Sequence, residues 1–428
     1  MNHFKYLVLI ALSSLSITTA VIAQDDTYYN NIRTVRFNPV GSQLAMPVIN
    51  LNSGDKLSLS FDDMDADIKN YYYTFQMCDV NWRPVDMSQF DYLTGFTQSQ
   101  ITNYSFSYLT TVSYTHYQIA LPEESMVPTR SGNYLLKVFL DGDTSKLAFT
   151  RRMLVLNSKA TVSALITQPF GPQFKSNQRI QFTVNIGSLN TFNTGQEIKV
   201  VVLQNYRWDV AQGSGIAPTF IRGNNLEYNS ENIFVFPGGR EWRWLDMRSF
   251  SLHSDRMKNV SYKKGEIPDI TLVRDIDRSS LPYLFYTDYN GLYQVATLDN
   301  ISPGTQADYA TVHFSYATPD LQPYPDKDVY LYGQLTNYRF TDSTKLKFNP
   351  DKNQYEINKF MKQGYYNYDY VLVDKKNPAV ITDTNGNFFE TENNYTVLVY
   401  YKSFTDRTDQ LIGITNFDSR NAQNSIGN

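Results

Sequence analysis

The chain has 428 residues, of which 19% are charged and 42% are apolar, and its formal net charge at pH 7 is −4. This length predicts two or three globular domains, and the acidic balance excludes a protein that attracts nucleic acid through a general basic field. Cys78 is the only cysteine, which excludes an intramolecular disulfide and a Cys-x-x-Cys metal or redox site, so we expect a buried structural thiol.

The first 23 residues have the pattern of a secretory signal peptide. Lys5 supplies the positive charge, residues 6–12 form an apolar run, and Ala20 and Ala23 are the small residues before a cleavage site. The apolar run is too short to span a bilayer. We therefore expect cleavage after Ala23 and an exported, soluble mature protein that does not insert into a membrane.

Alternation of apolar and polar residues dominates the rest of the chain and is typical of half-buried strands. It is clearest over residues 56–61, 179–186 and 366–372. Denser apolar runs, which suit inner strands, occupy residues 138–140, 200–203 and 397–401. Turn-forming Gly, Pro, Asn and Asp residues separate these runs, and helical periodicity is nearly absent. The pattern predicts an all-β protein built from many short strands.

A recurring Gly-x-Tyr pattern suggests how the strands are grouped. It occurs at Gly132, Gly291 and Gly364, each time at the entry to an apolar or alternating run. One such strand in each sandwich would give three immunoglobulin-like β-sandwiches in tandem. A proline-rich segment at residues 318–326 indicates a stiff connector. The expected ranges are a signal peptide (1–23), three sandwiches (24–157, 158–318 and 319–416) and a polar tail (417–428).

The densest acidic cluster imitates the opening of a calcium loop. Asp63, Asp65 and Asp67 stand at alternate positions, but Ile68 replaces the required glycine and Thr74 replaces the final glutamate. The pattern therefore favours a solvated turn, and we predict no metal ion and no cofactor.

Motifs for catalysis are missing from the sequence. There is no Gly-x-Ser-x-Gly, no phosphate-binding loop and no Gly-x-Gly-x-x-Gly. The four histidines lie too far apart along the chain for a helical metal motif. Folding could still bring two carboxylates together, but nothing local favours that, so we predict that the protein is not an enzyme and has no small-molecule substrate.

The segment 238–248 is the richest in side chains that bind partners. Trp242 and Trp244 alternate as on one face of a strand, and Arg240 precedes them. An exposed stripe of this kind could anchor a protein interface or stack on sugar rings. The same pattern suits a core strand of the middle sandwich, which is the interpretation that we favour. The candidate partner-binding residues are Arg240, Trp242, Trp244 and, further along the chain, Tyr338.

Blocks of strand and turn sequence recur along nearly the whole chain: residues 34–39, 47–63, 71–82, 115–117, 131–138, 150–153, 241–249, 307–314 and 362–370. In their extent and order these blocks resemble those of one family, the plug proteins of the type IX secretion system of Bacteroidetes. The resemblance implies a non-enzymatic periplasmic protein at the inner face of the outer membrane. It would bind the giant outer-membrane β-barrel translocon and block its periplasmic mouth when no substrate is passing.

The C-terminal third has a second resemblance. Residues 329–338 and 364–373 are similar to the early-set immunoglobulin sandwiches found beside starch-active enzymes. Those modules often bind glucans through a tryptophan where this chain has Tyr338, so the resemblance implies the fold and not the ligand. The alternative function is a glycan-binding protein of a polysaccharide-utilisation system with Trp242, Trp244 or Tyr338 as stacking platforms. A third is an assembly chaperone that offers an exposed strand edge.

Overall fold

The computed structural model of the chain describes residues 23–263 and 265–420, and almost all of its regular structure is β-strand. The predicted signal peptide, except for Ala23, and residues 421–428 of the predicted tail lie outside the described residues. The helical turns are short: Gln89–Asp91, Gly171–Gln173, Gln334–Thr336, α1 (Thr194–Glu197) and α2 (Pro303–Gln306). Within the described ranges, no helix has the length and apolar character needed to cross a membrane.

The first sandwich is formed by strands that precede residue 157. They are β1 (Asp26–Thr27), β2 (Ile32–Pro39), β3 (Val48–Asn50), β4 (Leu57–Asp63), β5 (Tyr71–Cys78), β6 (Leu93–Gly95), β7 (Ser99–Gln100), β8 (Tyr104–Phe106), β9 (Thr115–Leu121), β10 (Met126–Pro128), β11 (Gly132–Leu140) and β12 (Leu147–Leu156). One sheet has the order β1-β12-β11-β5-β7, with β3 parallel to β12, and the other has the order β2-β4-β9-β8. Leu57, Leu59 and Phe61 alternate along β4 into the core between the sheets, as their spacing predicts.

The middle sandwich takes strands from two distant parts of the chain. They are β13 (Thr161–Thr167), β14 (Asn177–Asn185), β15 (Ile198–Gln204), β16 (Arg207–Gly213), β17 (Phe220–Arg222), β18 (Asn225–Tyr228) and β19 (Val235–Pro237), with β31 (Asn394–Tyr401) and β32 (Gln410–Asp418). One sheet has the order β13-β14-β18-β17, with β19 also on β14, and the other has the order β16-β15-β31-β32. Val397 and Val399 of β31 therefore share a core with Val200 and Val202 of β15.

The third sandwich is formed by the part of the chain between β19 and β31, the two strands at which the middle sandwich is interrupted. Its strands are β20 (Arg243–Asp246), β21 (Met257–Ser261), β22 (Asp269–Leu272), β23 (Asp275–Ile276), β24 (Tyr293–Val295), β25 (Tyr309–Ala317), β26 (Lys327–Tyr332), β27 (Lys347–Asn349), β28 (Gln354–Lys362), β29 (Gly364–Asp374) and β30 (Ile381–Asp383). One sheet is centred on β29, which pairs with β20, β24, β26 and β30, and the other has the order β21-β22-β25-β28-β27. These sheets enclose a single core that runs from Leu245 to Leu372.

The all-β sandwich class predicted from the sequence is confirmed, but the sandwiches are nested and the cores do not divide at residue 318. The proline-rich segment 318–326 joins β25 to β26, which belong to the two sheets of one sandwich. Two of the Gly-x-Tyr strands also belong together, because Tyr293 pairs with Tyr366 and their rings stack at 5.0 Å. The predicted start of the polar tail at residue 417 is too early, because Phe417 and Asp418 still belong to β32.

Candidate functional site: the sandwich junctions and an exposed phenylalanine end

The outer sheet faces of the first and middle sandwiches pack directly on each other. Leu135 and Leu154 of the first sandwich share a buried cluster with Leu203 and Tyr400 of the middle one. The Tyr400 hydroxyl donates a hydrogen bond of 2.8 Å to the side-chain oxygen of Asn133 across the junction. Because this hydrogen bond lies within an otherwise apolar contact, the junction resembles the interior of a domain.

Cys78 lies in the same junction and is fully buried. Burial raises the pKa of its thiol to about 12, so the nucleophilic thiolate is suppressed at neutral pH. The prediction of a buried thiol is confirmed by this placement.

A buried carboxylate joins the first sandwich to the third. Asp62 of β4 accepts hydrogen bonds from the Lys362 amine and the Tyr309 hydroxyl, each at 2.6 Å, and lies 2.6 Å from Nδ1 of His116. Burial alone would raise the pKa of Asp62, but Lys362 and His116 outweigh it and hold the pKa below its usual range. Burial lowers the pKa of Lys362. The pair thus depends on close contact to offset the loss of water around both charges.

The remaining aspartates of the predicted acidic turn do not join this network. Asp63, Asp65 and Asp67 can bring one oxygen each to within 4.8 Å of one another. The Lys69 amine lies among them, at 2.8, 2.5 and 3.1 Å. A cation from the chain itself therefore lies within the cluster and offsets part of its negative charge, and Asp63 is buried where the sequence suggested a solvated turn.

An aromatic cluster joins the middle sandwich to the third. The guanidinium of Arg207 lies over the rings of Tyr332 and Tyr338, at 5.1 and 5.3 Å from their centroids. Trp242 also stacks on Tyr332, with the ring centroids 6.1 Å apart and an interplanar angle of 15°. Such cation–π and stacking contacts add to the burial of the rings.

The four residues predicted to bind a partner lie mostly inside the protein. Arg240 is 7% exposed and donates to backbone carbonyl groups, including that of Arg278 at 2.6 Å. Trp242 is 8% exposed, whereas Trp244 and Tyr338 are half-buried. Arg240 and Trp242 therefore form no exposed stripe, and the segment lies in the third sandwich, whereas the sequence favoured a core strand of the middle one. Trp242 precedes β20 and packs into the junction, so it offers no face on which a sugar or a partner could stack.

Three phenylalanines that are not among the predicted site residues project into solvent. Phe90, Phe192 and Phe404 are 74%, 98% and 95% exposed. We call this set the phenylalanine end. Large apolar side chains that project fully from loops expose surface that a partner can cover.

Hydrogen bonds between loops bring these three residues to one end of the first two sandwiches. Arg130 donates to the carbonyl of Asp91, next to Phe90, at 3.2 Å and to the carboxylate of Asp406 at 3.0 Å. Asp406 lies two residues after Phe404. The loop with Phe404 also contacts the loop with Phe192, because Glu197 accepts hydrogen bonds from the backbone amides of both Lys402 and Phe192.

The opposite end of the first sandwich has a different environment. The Leu121 end of β9 leads through β10 to Arg130 and the phenylalanine end. The other end of β9 faces the third sandwich, where the hydroxyl of Tyr114 donates to the carbonyl of Ala307 at 2.7 Å. A seven-residue strand separates these ends by about 20 Å. Ile301, 92% exposed and two residues before α2, belongs to this opposite end.

The sequence does contain a signal for the phenylalanine end. Phe192 and Phe404 lie in short polar stretches, Asn-Thr-Phe-Asn-Thr and Lys-Ser-Phe-Thr-Asp. A lone aromatic residue among turn-forming residues has no core to join, in contrast to one in an alternating run.

Comparison with known proteins gives a family match for the first sandwich. Residues 32–157 match the family model described as "Type 9 secretion system plug protein 1st domain". The family predicted from the resemblance is confirmed by this match. This family belongs to a protein secretion system of the cell envelope and is not known as a family of enzymes. A search of curated proteins gave no match.

Among solved structures, a hypothetical protein from Parabacteroides merdae ATCC 43184 is similar over almost the whole chain. It is 28% identical, the alignment covers 93% of this chain and 100% of that one, and the TM-score is 0.87. Dimeric latent PorU from Porphyromonas gingivalis aligns at 9% identity over 91% of this chain and 34% of that one. Its TM-score of 0.15 shows no shared fold.

Proposed function

We propose that this chain, which belongs to the type IX secretion system plug family by the match of residues 32–157, closes the periplasmic opening of an outer-membrane β-barrel translocon when no substrate is passing. It would reach the periplasm through the signal peptide predicted at residues 1–23. It would be held at the inner face of the outer membrane by its protein partner, without catalysis.

The solid packing of the three sandwiches supports this role. A body that seals a wide pore must keep its shape, and flexible links between domains would leave gaps. Each pair of sandwiches here is joined by buried contacts, with Tyr400 on Asn133, Lys362 on Asp62 and Arg207 on Tyr332 as examples. Buried, largely apolar interfaces of this kind resist relative motion of domains more than a polar surface contact does.

The single observation that carries the proposal beyond the family match is the phenylalanine end. Phe90, Phe192 and Phe404 are exposed, and their loops are cross-linked by Arg130, Asp406 and Glu197. Aromatic anchors that enter pockets of a partner commonly dominate binding energy. Because these anchors project from a rigid body, little conformational entropy is lost when they dock. We infer that this end contacts the translocon.

Affinity purification from outer-membrane extracts tests the proposal. The tagged wild-type chain should recover a very large barrel protein, and the double variant F192S/F404S should recover at least about tenfold less, since two exposed anchors are removed without disturbing the core. I301S is the matched control, because it removes an equally exposed apolar side chain from the opposite end. Equal recovery by F192S/F404S and the wild type would reject this docking surface. Recovery of the wild type without any barrel protein would reject the proposed function.

A further inference from the structure

A cavity lies where all three sandwiches meet, away from the phenylalanine end. Its volume is about 230 Å³. The first sandwich contributes Arg36, Arg151 and Arg152, the middle one contributes Asp209 and Trp208, and the third contributes Arg339. Four guanidinium groups around one small cavity are unusual in a chain with a net negative charge.

Arg36 is the most buried of these arginines, at 7% exposure. Its Nη1 donates to the side-chain oxygen of Gln334 at 2.9 Å, its Nη2 donates to the carbonyl of Gln43, and its guanidinium lies 4.2 Å from the centroid of the Tyr293 ring. Its Nε is buried and has no hydrogen-bond partner within the described residues. A buried charged donor without a hydrogen-bond partner lowers the stability of the fold. A ligand that accepts this hydrogen bond would regain that free energy.

Arg151 and Arg152 are satisfied mainly by neutral groups. Arg151 donates to the carbonyl groups of Asp26 and Thr150 at 2.9 and 2.7 Å. Arg152 donates twice to the carbonyl of Ala23, at 3.1 and 2.7 Å. In the described part of the chain, no ion pair joins a carboxylate to either residue or to Arg36. Burial lowers the pKa of Arg151, the nearby Asp25 carboxylate raises it in part, and the Arg36 guanidinium lowers it.

Two carboxylates line the cavity and offset part of the charge of its arginines. Asp25 accepts a hydrogen bond of 2.6 Å from the backbone amide of Arg152. Asp209 pairs with Arg207 at 2.9 Å and also accepts from the Tyr332 hydroxyl. Arg339, at the rim, has only a distant contact of 3.8 Å with Asp26. Four arginines and two aspartates line the cavity, so its positive charge exceeds its negative charge.

We propose that this junction cavity, where Arg36, Arg151 and Arg152 meet Arg339, binds a single oxyanionic group, a carboxylate or a phosphate. Guanidinium groups recognise such groups through paired, charge-assisted hydrogen bonds. A larger cleft of about 1320 Å³ between the first and third sandwiches shares Arg151 and Arg339 with the cavity and offers a route of entry. An anion bound there contacts residues of two or more sandwiches and stabilises their association. The site does not depend on the proposed function.

Isothermal titration calorimetry at constant ionic strength tests the site with inorganic phosphate and with malonate as probes. The wild-type chain should bind at least one of them saturably with one site per chain. Preference for phosphate would identify a phosphate-type ligand, and preference for malonate would identify a carboxylate, such as an acidic side chain of a partner. If neither probe binds saturably, the proposal is overturned.

Three variants locate the site. R36K keeps the charge but removes Nε and the planar fork, and R339Q removes a charge from the half-exposed rim, where folding is least at risk. Each should weaken binding, R36K by about tenfold or more, as expected for loss of a bidentate charged contact. R222Q is the matched control, because Arg222 is 71% exposed on β17 and does not line the cavity. Loss of binding in either cavity variant with R222Q unchanged supports the site. Wild-type affinity in both cavity variants, or an equal loss in R222Q, overturns it.

Discussion

The Nζ atom of Lys362 in the third sandwich lies 2.6 Å from the carboxylate of Asp62 in the first, and both side chains are only 1% exposed. Each charge has lost its water and depends on the other. Removing one partner leaves an uncompensated buried charge, which is far more costly than removing both.

We therefore expect Lys362→Met to lower the free energy of unfolding by about 3–5 kcal/mol, because Asp62 stays buried without its cation. The double variant D62N/K362M should recover part of this loss. Urea denaturation at pH 7 measures both. Lys146→Met removes an exposed ion pair with Asp141 and should behave as the wild type. Similar stability of K362M and K146M would show that the buried pair does not hold the two sandwiches together.

Asp288 should make the protein less stable as the pH rises from about 4 to 7. Burial raises the pKa of its carboxyl from 3.8 to about 7 in the folded state. Between these values the folded chain binds more protons than the unfolded chain, so the free energy of unfolding falls with increasing pH, and the loss is complete above pH 7. Asp288→Asn removes this penalty.

D288N should therefore be more stable than the wild type at pH 8, by up to about 4 kcal/mol, since the pKa rises from 3.8 to about 7 and each pKa unit corresponds to about 1.4 kcal/mol. At pH 4 the two proteins should unfold at similar urea concentrations, because the wild-type carboxyl is then neutral. Chemical denaturation at both pH values measures this difference. A constant gap between the two proteins at pH 4 and pH 8 would contradict the assignment.

Gly291 allows Trp242 to pack at the junction. A Cβ at this position would lie 2.7 Å from the indole ring, and the backbone φ is +84°. Gly291→Ala should cost about 2–4 kcal/mol, the sum of the strain of a positive φ and of displaced packing. Thermal unfolding and tryptophan fluorescence measure the loss and the movement of the indole.

Gly41 offers a close control for that substitution. Its φ is +83°, and a Cβ there would meet no atom within 4 Å. Gly41→Ala should therefore show the backbone cost alone, about 1 kcal/mol. If G291A and G41A lose the same stability, close contact with Trp242 makes no contribution.

Cys78 should report on the contact between the first and middle sandwiches. Its burial in that junction keeps the thiol protonated and shielded. A thiol reagent such as DTNB should leave the native protein unmodified for hours and titrate one thiol per chain in urea. Disruption of the junction, for example by Tyr400→Ala, should speed the reaction by about tenfold or more if opening becomes that much more frequent. Rapid reaction of the native wild type would show that the two sandwiches separate readily.

The proposed function predicts that a strain without this chain has a leaky outer membrane. A deletion strain should be more sensitive than its parent to vancomycin, and the wild-type gene should restore resistance. The F192S/F404S gene should restore it poorly, whereas the I301S gene should restore it fully, because only the first pair lies at the phenylalanine end. If the deletion strain and the parent are equally sensitive to vancomycin, the chain does not seal a pore that stays open without it.

The strands themselves could be predicted from the sequence, because alternation is a local property. The run from Leu57 to Phe61 faces the core as its spacing indicates. The way in which strands share a sandwich could not be predicted. Val200 of β15 meets Val399 of β31 far along the chain, and nothing local to either strand specifies that pairing.

The candidate surface was also hard to predict for a physical reason. Trp242 and Arg240 have the residue types of an interface, but whether such side chains are exposed depends on the loops that fold over them. Arg240 is covered by the carbonyl groups of residues far along the chain, including Asn385. Phenylalanine is usually found in cores, but Phe404 is almost completely exposed because it lies in the short loop between β31 and β32.

Nesting of the third sandwich inside the middle one determines when each part can be completed. β15, with the sequence Ile-Lys-Val-Val-Val-Leu-Gln, is covered on one edge by β31. During synthesis or export from the N-terminus, that apolar edge stays open until the whole third sandwich and then β31 and β32 have emerged. The middle of the molecule is therefore the last part to close, and a chain shortened before Asn394 would present a bare strand edge to other chains.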